Sequence, residues 1–439
     1  MASRLAVIVV LLLAFLPAGV LAQTDEPERL RIHGSNVLGA HLVPALVDSW
    51  LKDIGYERVE HRRISIHRSE ITAVRDGMAL LVEIDKRGTA AGMAALAAGE
   101  AEIAMSARQP NASETDAAWQ LGNLTSPEQE WVLGLDGLAV LVAQGNRVSE
   151  LSLEQLQGVL SGRISNWRQL GGDAGPIRVH TMRADTGTGE LAASLLSQGS
   201  SPARGTRGHA SHAALVAAVA GDPAAIGVAA LRSGRGRTKA LAIRGGALPV
   251  APERLQVSSE DYPLQRRVYF HTGQLITALG RSFAQYAVSP AGQAVVERSQ
   301  FLSLNLRPMA PGELQDAPEE YRQLVASARR LPMTIRFGTG LDLLDSRSRQ
   351  DVERLAGFLR RPENAKRRVM LVGFANPEPK SPYQSLSFSQ ERVDYVCSEL
   401  LSLNMKVVTV RGFGGSRSLV DARNPSARYR NNRVEVWLR

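Results

Sequence analysis

Apolar residues recur at helical spacing in three places before residue 305. Leu42, Val43, Leu46, Val47, Trp50 and Leu51 form one stripe; Met93, Leu96 and Ala97 form a second; Leu153, Leu156, Val159 and Leu160 form a third. Unbroken apolar runs, Leu138 to Val142 and Ile226 to Ala229, predict buried strands between them. Strands alternating with helices from Leu30 to about Leu304 predict α/β layers with largely parallel sheets. A span of that length exceeds one core, so two lobes are expected.

The pattern breaks at Arg307 to Ala317, where Pro and Gly stand among polar residues, and a charged stretch with helical character follows from Glu319 to Arg330. A new unit opens at Leu331-Pro332. Met333, Ile335 and Phe337 alternate with polar residues, as in a half-buried strand. Val352, Leu355, Ala356 and Leu359 predict a helix, Val369 to Phe374 a strand, and Val393, Val396, Cys397 and Leu400 a second helix. Val407 to Val410 and Val434 to Leu438 close the chain as strands, giving a β-α-β-α-β-β order and a small α/β sandwich. The expected division is 1–22, 23–305, a linker over 306–330, and 331–439.

Composition narrows the class. The chain has 439 residues, 44% apolar and 22% charged, which suits two or three globular domains. Aromatics at 5% suit Ala- and Gly-rich α/β layers better than a β-sandwich. The single cysteine, Cys397, excludes an intramolecular disulfide and a cysteine-based zinc site, and its place on an apolar helix face reads as core. A net charge of +9 points to acidic partners: nucleic acid, an anionic envelope surface, or small oxyanions. The N-terminus decides among them. Arg4, the apolar run Leu5 to Leu16, the breaker Pro17-Ala18-Gly19 and the small residues at Val20-Leu21-Ala22 read as a cleaved secretory signal peptide. No Cys follows the run, so no lipid anchor is expected. Secretion argues against nucleic acid as a partner.

Three places share one design, a small hydroxyl residue beside Gly just before a helix. They are His33-Gly34-Ser35-Asn36, Arg87-Gly88-Thr89-Ala90, and Arg183-Ala184-Asp185-Thr186-Gly187-Thr188-Gly189. Helix N-termini present unpaired N–H groups, Gly admits an anion close to the backbone, and a hydroxyl adds a donor. Each alone is equally a plain N-cap. Their recurrence in one domain, once beside an arginine, points to an oxyanion. Gly187-Thr188-Gly189 with Ala192 also half-matches a dinucleotide fingerprint, but no acidic residue follows at the required spacing.

The stretch Gly162-Arg163-Ile164-Ser165-Asn166-Trp167-Arg168-Gln169-Leu170-Gly171-Gly172, then Ile177 and Arg183 to Thr188, resembles the PstS-type phosphate-binding proteins of ABC importers. Gly99 to Arg108, Ala225 to Val228 and Tyr262-Pro263-Leu264 match further blocks in the same order. The resemblance covers about residues 28–305. It implies a two-lobed type II periplasmic binding protein fold with ligand in the cleft. It also implies Ser35 and Asn36 in a first ligand loop, Thr89 in a second, Ser106 in a third, and Arg183, Thr186, Gly187 and Thr188 in a fourth. Two positions depart from the family. Val37 replaces a usual Thr, leaving only its backbone donor. Ala107 stands where many phosphate binders place an Asp that accepts the proton of hydrogen phosphate.

Residues 333–439 resemble the OmpA-like peptidoglycan-binding domain. Gly373-Phe374-Ala375-Asn376 stands where that family has Gly-x-Thr-Asp, and Phe388 to Val393 matches its helix start, Leu-Ser-x-x-Arg-Ala. Gly412-Phe413-Gly414 and Asn431 to Val436 match its closing blocks. The resemblance implies that Asn376 and Arg392 hold the zwitterionic end of a wall peptide. With Asn for Asp, a charge-assisted contact becomes a neutral one, and one extra residue separates the pair.

Other chemistry is sparse. His209 and His212 are three apart without an acidic or Cys partner and read as a surface pair; no His spacing suggests a metal. No Gly-x-Ser-x-Gly elbow marks a nucleophile. Arg232 to Lys239 reads as a solvated basic loop, or as a contact for anionic polymers. The expectation is therefore a periplasmic, non-enzymatic binding protein without a cofactor. Its partners would be inorganic phosphate or a similar oxyanion, peptidoglycan, and an ABC permease, with cell-wall or outer-membrane association. The alternative is a structural envelope protein whose binding domain serves partner contacts.

Overall fold

The computed structural model describes residues 27–439 apart from 185, 194, 196–200, 232, 234–235, 313, 315–316, 338–343, 379–380 and 422–427. The expected signal peptide, Asp185 of the fourth loop, and Arg232, Gly234 and Arg235 of the basic loop lie outside the described residues.

The first lobe begins with β1 (Glu28–Gly34), whose Leu30 and Ile32 are buried. A π-helical turn over Leu38–Leu42 leads into α1 (Val43–Asp53), where Pro44 lies in the first turn and the expected stripe is buried throughout. Next come β2 (Glu57–Arg63), β3 (Arg68–Arg75), β4 (Met78–Asp85), α2 (Thr89–Ala97), β5 (Ile103–Ser106) and α3 (Ala112–Ala117). The long strand β6 (Glu130–Val142) then crosses into a second lobe. That lobe holds β7 (Glu150–Ser152), α4 (Leu153–Leu160), β8 (Arg178–Met182), α5 (Gly187–Ala192), β9 (Arg207–His209), α6 (His212–Ala220) and β10 (Ala225–Ala230). The short strands β11 (Lys239–Ala240), β12 (Ala242–Arg244) and β13 (Pro249–Val250) and helix α7 (Arg254–Ser258) complete it. β14 (Gln265–Thr272) returns to the first lobe, where α8 (Ala278–Val288) and α9 (Pro290–Arg298) pack on α1, with Trp50 and Phe283 rings 5.2 Å apart.

One curled sheet joins the lobes, in the order β2-β3-β4-β1-β5-β14-β6-β10-β8-β9 among the described residues. Parallel pairing is confined to β4-β1-β5 and β10-β8-β9. The remaining strands run antiparallel, which the alternating pattern did not foresee. One cause is local: Asp76 and Gly77 both take positive φ, 52° and 80°, a turn that forces a hairpin between β3 and β4.

The charged stretch after residue 318 is helical only as α10 (Glu319–Val325); extended chain starts at Arg329. The last unit follows as β15 (Arg329–Arg336), α11 (Ser346–Leu359), β16 (Val369–Phe374), α12 (Pro382–Ser402), β17 (Val407–Gly412) and β18 (Arg433–Leu438). Its sheet runs β15-β18-β16-β17, with only β16 and β17 parallel. Leu331, Met333 and Ile335 face α11 and α12, while Tyr321 and Val325 of α10 cover Met370, Phe374 and Trp437 on the other face.

The polar residues alternating along β15 are buried too, because they face the first unit. Arg330 bonds Asp261 at 2.8 Å, and Arg336 donates to Asp261 at 3.2 Å and to the Ser259 carbonyl at 2.8 Å. Arg267 of β14 pairs with Glu260 and reaches Asp345 at 2.8 Å, and Arg347 pairs with Glu260 at 2.5 Å. Glu260, amid these pairs, holds a left-handed φ of 59°, which is uncommon for a non-glycine residue. On the side of the first lobe, Ser346 donates to Glu130 and Gln350 donates to the Glu130 carbonyl at 2.9 Å.

Burial by itself raises the Asp261 pKa, but Arg330, Arg433 and Arg336 outweigh it and hold the carboxyl below its usual range. Its contribution to stability is therefore full above the ordinary Asp value and is lost as pH falls through the lower folded one. Asp261→Asn leaves buried guanidinium groups without their charge partner and is expected to destabilise the chain by about 3–5 kcal/mol. Glu319→Gln, at an exposed pair with Arg322, should leave stability nearly unchanged, because solvent screens that pair. Urea unfolding of the two variants checks this; equal midpoints would refute the ionic weld.

Candidate functional site

The carboxyl ends of β1, β4 and β5 lie side by side, the place where open parallel sheets receive ligands. Backbone contact between their loops is close. A Cβ on Gly34, which has φ of 139°, would lie 2.0 Å from the Met105 carbonyl oxygen. A Cβ on Gly92 of α2 would lie 2.4 Å from Gly34 Cα. Ser35 N–H donates to the Met105 carbonyl at 2.7 Å, and Gly88 N–H to the Gly34 carbonyl at 2.8 Å. The structure thus gathers Ser35, Thr89 and Ser106, three of the expected hydroxyls, into one floor.

Their hydroxyls differ in what they have left to give. Thr89 Oγ1 accepts from Ala107 N–H at 3.2 Å. Ser106, fully buried, donates to the Arg108 carbonyl and accepts from the Arg108 N–H at 3.2 Å. Ser35 is 1% exposed, and its Oγ has no hydrogen-bond partner in the protein. A buried hydroxyl without an acceptor is costly, so this atom calls for a ligand oxygen or a water. Asn36 beside it is exposed. The nearby cations are largely matched: Arg108 forks onto Glu114 with two contacts of 2.7 Å, and Arg87 pairs with Asp85 at 2.9 Å. His33 faces Asp85 across the β1–β4 register; burial holds its pKa down despite that carboxylate, and its Nδ1 has no partner.

The fourth loop follows β8 in the second lobe. Thr186 donates to the Arg183 carbonyl at 2.7 Å and accepts from Gly189 N–H at 3.1 Å, a cap with its hydroxyl satisfied. Thr188 Oγ1 instead meets His212 Nε2 at 3.0 Å. Arg183 has an exposed side chain, and its N–H bonds the His209 carbonyl at 3.0 Å. The lobes touch at Gly187: a Cβ there would lie 2.8 Å from Val37 Cγ2. Val37, credited in sequence with only a backbone donor, therefore uses its side chain to bring the first and fourth loops together.

Two sequence readings change. His209 and His212 are not a surface pair on one helix. His209 ends β9 and stacks on buried His180 with Nε2 2.9 Å from its Nδ1, whereas His212 begins α6 and serves Thr188. Arg392 does not start its helix either. Helix α12 begins at Pro382, so Arg392 lies within it, 8% exposed, with its guanidinium over the rings of Phe337 and Phe388. Asn376 Oδ1 accepts from Asn431 Nδ2 at 3.0 Å, and its N–H donates to Asn432 Oδ1 at 2.9 Å. Asn376 and Arg392 have different hydrogen-bond partners: the Asn376 carbonyl accepts from Ser385, whereas Arg392 donates to the Phe388 carbonyl at 3.3 Å. Among the described residues no cluster of three His, Cys, Asp or Glu could hold a metal, and no helix is long and apolar enough to cross a membrane.

A family model described as the PBP superfamily domain matches residues 71–291. The phosphate-binding protein PstS of Bacillus subtilis is 28% identical over 154 residues, 35% of this chain, and the chain spans 50% of that relative's length. An ABC-type phosphate transport receptor from Vibrio cholerae superposes with a TM-score of 0.51 at 22% identity, covering 63% of this chain and 99% of the receptor. A possible phosphate binding protein from Planctomyces limnophilus has a TM-score of 0.51 at 17% identity, covering 64% and 94%. At these identities the solved structures establish likeness of fold.

Packing of α2 on β1 sets the floor of the site, which makes Gly92 a sensitive position. Alanine usually gains about 1 kcal/mol over glycine inside a helix. Here the backbone clash with Gly34 and His33 outweighs it, and Gly92→Ala should destabilise by about 1–3 kcal/mol. A Cβ on Gly39 would lie 2.8 Å from both Met105 Cε, a free side-chain end, and Lys86 Cβ; its nearest contacts are longer than those at Gly92 and none is a backbone atom, so Gly39→Ala should be milder. Thermal unfolding of both variants tests the ranking.

Proposed function

We propose that this chain, which belongs to the PBP superfamily, holds inorganic phosphate in the cleft between its lobes. It would act as the periplasmic receptor of an ABC-type importer, exported by its signal peptide. The observation that carries the reading is the partnerless hydroxyl of Ser35, buried where the carboxyl ends of three strands meet. Asn36, Thr89 and Ser106 would complete the first lobe's share. Arg183, Thr186, Gly187 and Thr188 would close on the anion from the second lobe, with Arg183 supplying the charge-assisted bond. The phosphate binding named for the Bacillus relative supports the ligand class.

The second half of the proposal is a cell-wall tether. Residues 331–439 would form an OmpA-like domain that binds peptidoglycan through Asn376 and Arg392; the expected linker 306–330 is not a free connector, since α10 packs on the sheet of this unit and β15 begins at Arg329. The weld between the units would then place the binding cleft at a fixed distance from the wall. A rival reading, a structural envelope protein that uses the lobes for partner contacts, is favoured by one observation: Ser106 and Thr186 already have protein partners.

Calorimetry with phosphate separates the two. The wild-type chain should bind. Arg183→Ala should weaken binding by roughly 1.5–3 kcal/mol and Ser35→Ala by about 1 kcal/mol. Absence of any phosphate heat supports the rival; binding unchanged by both substitutions removes these loops from the site. For the tether, the full chain should pellet with isolated sacculi. Asn376→Asp should strengthen that association by about 1–2 kcal/mol through a charge-assisted bond, and Arg392→Ala should abolish it. Wild type and Asn376→Asp both remaining in the supernatant would sink the tether.

A further inference from the structure

Nothing in the sequence joins Thr188 to His212, yet their Oγ1 and Nε2 atoms lie 3.0 Å apart. Thr188 belongs to the loop that meets Val37, two residues from the partnerless hydroxyl of Ser35. His212 is half-buried. The charged and titratable groups on the elements around it are Glu190 on α5, Glu130 and Asp136 on β6, Arg178 and His180 on β8, and Arg207 and His209 on β9; β10 carries none. Most are engaged elsewhere. His180 and His209 bond each other, Arg178 pairs with Asp222, and Glu130 bonds Ser346. The charge that reaches His212 is that of Asp136, which is itself paired with Arg266 of β14 at 3.2 Å.

We propose that His212 is a proton-linked positioning residue of the anion cleft, deciding whether the Thr188 hydroxyl gives its hydrogen to the ligand. The proposal rests on the reading of that cleft as an oxyanion site. An imidazolium carries N–H on both ring nitrogens, so Nε2–H donates to Thr188 Oγ1 and the hydroxyl's own hydrogen is left for a ligand oxygen. A neutral ring with its hydrogen on Nδ1 takes the Thr188 hydrogen instead, which turns oxygen lone pairs toward the anion. Burial holds the His212 pKa below its ordinary value against the pull of Asp136, so the ring is neutral near neutral pH. An oxyanion beyond Thr188 demands that hydrogen, which the imidazolium or the neutral Nε2–H tautomer leaves free, and its negative charge selects the imidazolium. Binding then takes up a proton, and by linkage affinity rises as pH falls.

Sulfate is the clean probe, because it keeps one charge state across the histidine range, and phosphate is titrated beside it. Calorimetry of the full chain between about pH 8 and about pH 5, in buffers of different ionisation enthalpy, reads affinity and proton uptake together. Wild-type affinity for sulfate should rise about tenfold toward acid, the gain that follows if the anion raises the imidazole pKa by about one unit. Proton uptake should accompany binding. His212→Gln can donate an amide hydrogen to Thr188 at every pH; it should keep binding and lose both the slope and the uptake. His212→Leu should bind weakly throughout, so rescue by Gln separates positioning from loss of fold. A slope and uptake that persist in His212→Gln overturn the proposal, as does wild-type binding without pH dependence. If the wild-type chain binds neither anion at any pH, the oxyanion reading itself fails, and this proposal with it.

Discussion

The sheet passes from one lobe to the other through two strands, β6 and β14, and the cleft exists because of that crossing. From Glu130 to Gly137, β6 pairs with β14; from Leu138 to Val142 it pairs with β10 of the second lobe. Leu138, Ala139, Val140, Leu141 and Val142 are buried to 1% or less, which fits a strand covered on both faces. Because β14 also pairs with β5, the strand ends beside Ser35 and Ser106 are tied by backbone hydrogen bonds, through β14, to β6, the strand that crosses into the lobe holding α5 and Thr188. The loops of the two lobes meet at one further contact, Val37 on Gly187.

The last unit is fastened to this crossing. Arg267 lies on β14 and Glu130 opens β6, and both are bonded to residues at the start of α11. Glu260 and Asp261, just before β14, take their arginines from β15 and α11. Groups buried this deeply gain little net stability from pairing, because desolvation offsets most of the attraction. What is costly is losing one partner, which leaves the other as an uncompensated charge sealed in the interface. Contacts on both the Glu130 side and the Glu260 side mean that any rotation of one lobe against the other acts on bonds to the last unit.

Much of this was legible in the sequence. Stripes of Leu and Val named the helices, since a buried helix face repeats every three to four residues whatever its surroundings. The β-α-β-α-β-β order of the last unit was legible for the same reason. The antiparallel share of the large sheet was not, because strand direction depends on turns such as Asp76-Gly77 and on which strand crosses between lobes. Thr334 and Arg336 look solvent-facing in an alternating strand, and Arg330 reads as the end of the charged stretch before it. Their burial is tolerable because partners distant in sequence face them: Asp261, about seventy residues earlier, takes both arginines, and Glu435 of β18 takes Arg330, which in turn donates to Thr334. The place of Arg392 within α12 was missed because Pro382 starts the helix well ahead of the residues that resemble a helix start.

The hydroxyls of these loops carry the sharper lesson. Ser35, Ser106, Thr186 and Thr188 look alike as letters beside glycine or at a strand end, and each is equally a cap or a ligand donor. The fold separates them by what else is within reach. Ser106 closes on its own loop, Thr186 caps α5, and Thr188 is turned by an imidazole. Ser35 is held by its backbone between Met105 and the turn before α1, where no acceptor faces its side chain. The positive charge of the chain does not choose among them, since Arg87 and Arg108 beside the floor are already matched by Asp85 and Glu114. Selectivity in such a cleft therefore depends on which hydrogens are left to give, and that is decided by partners from distant parts of the chain.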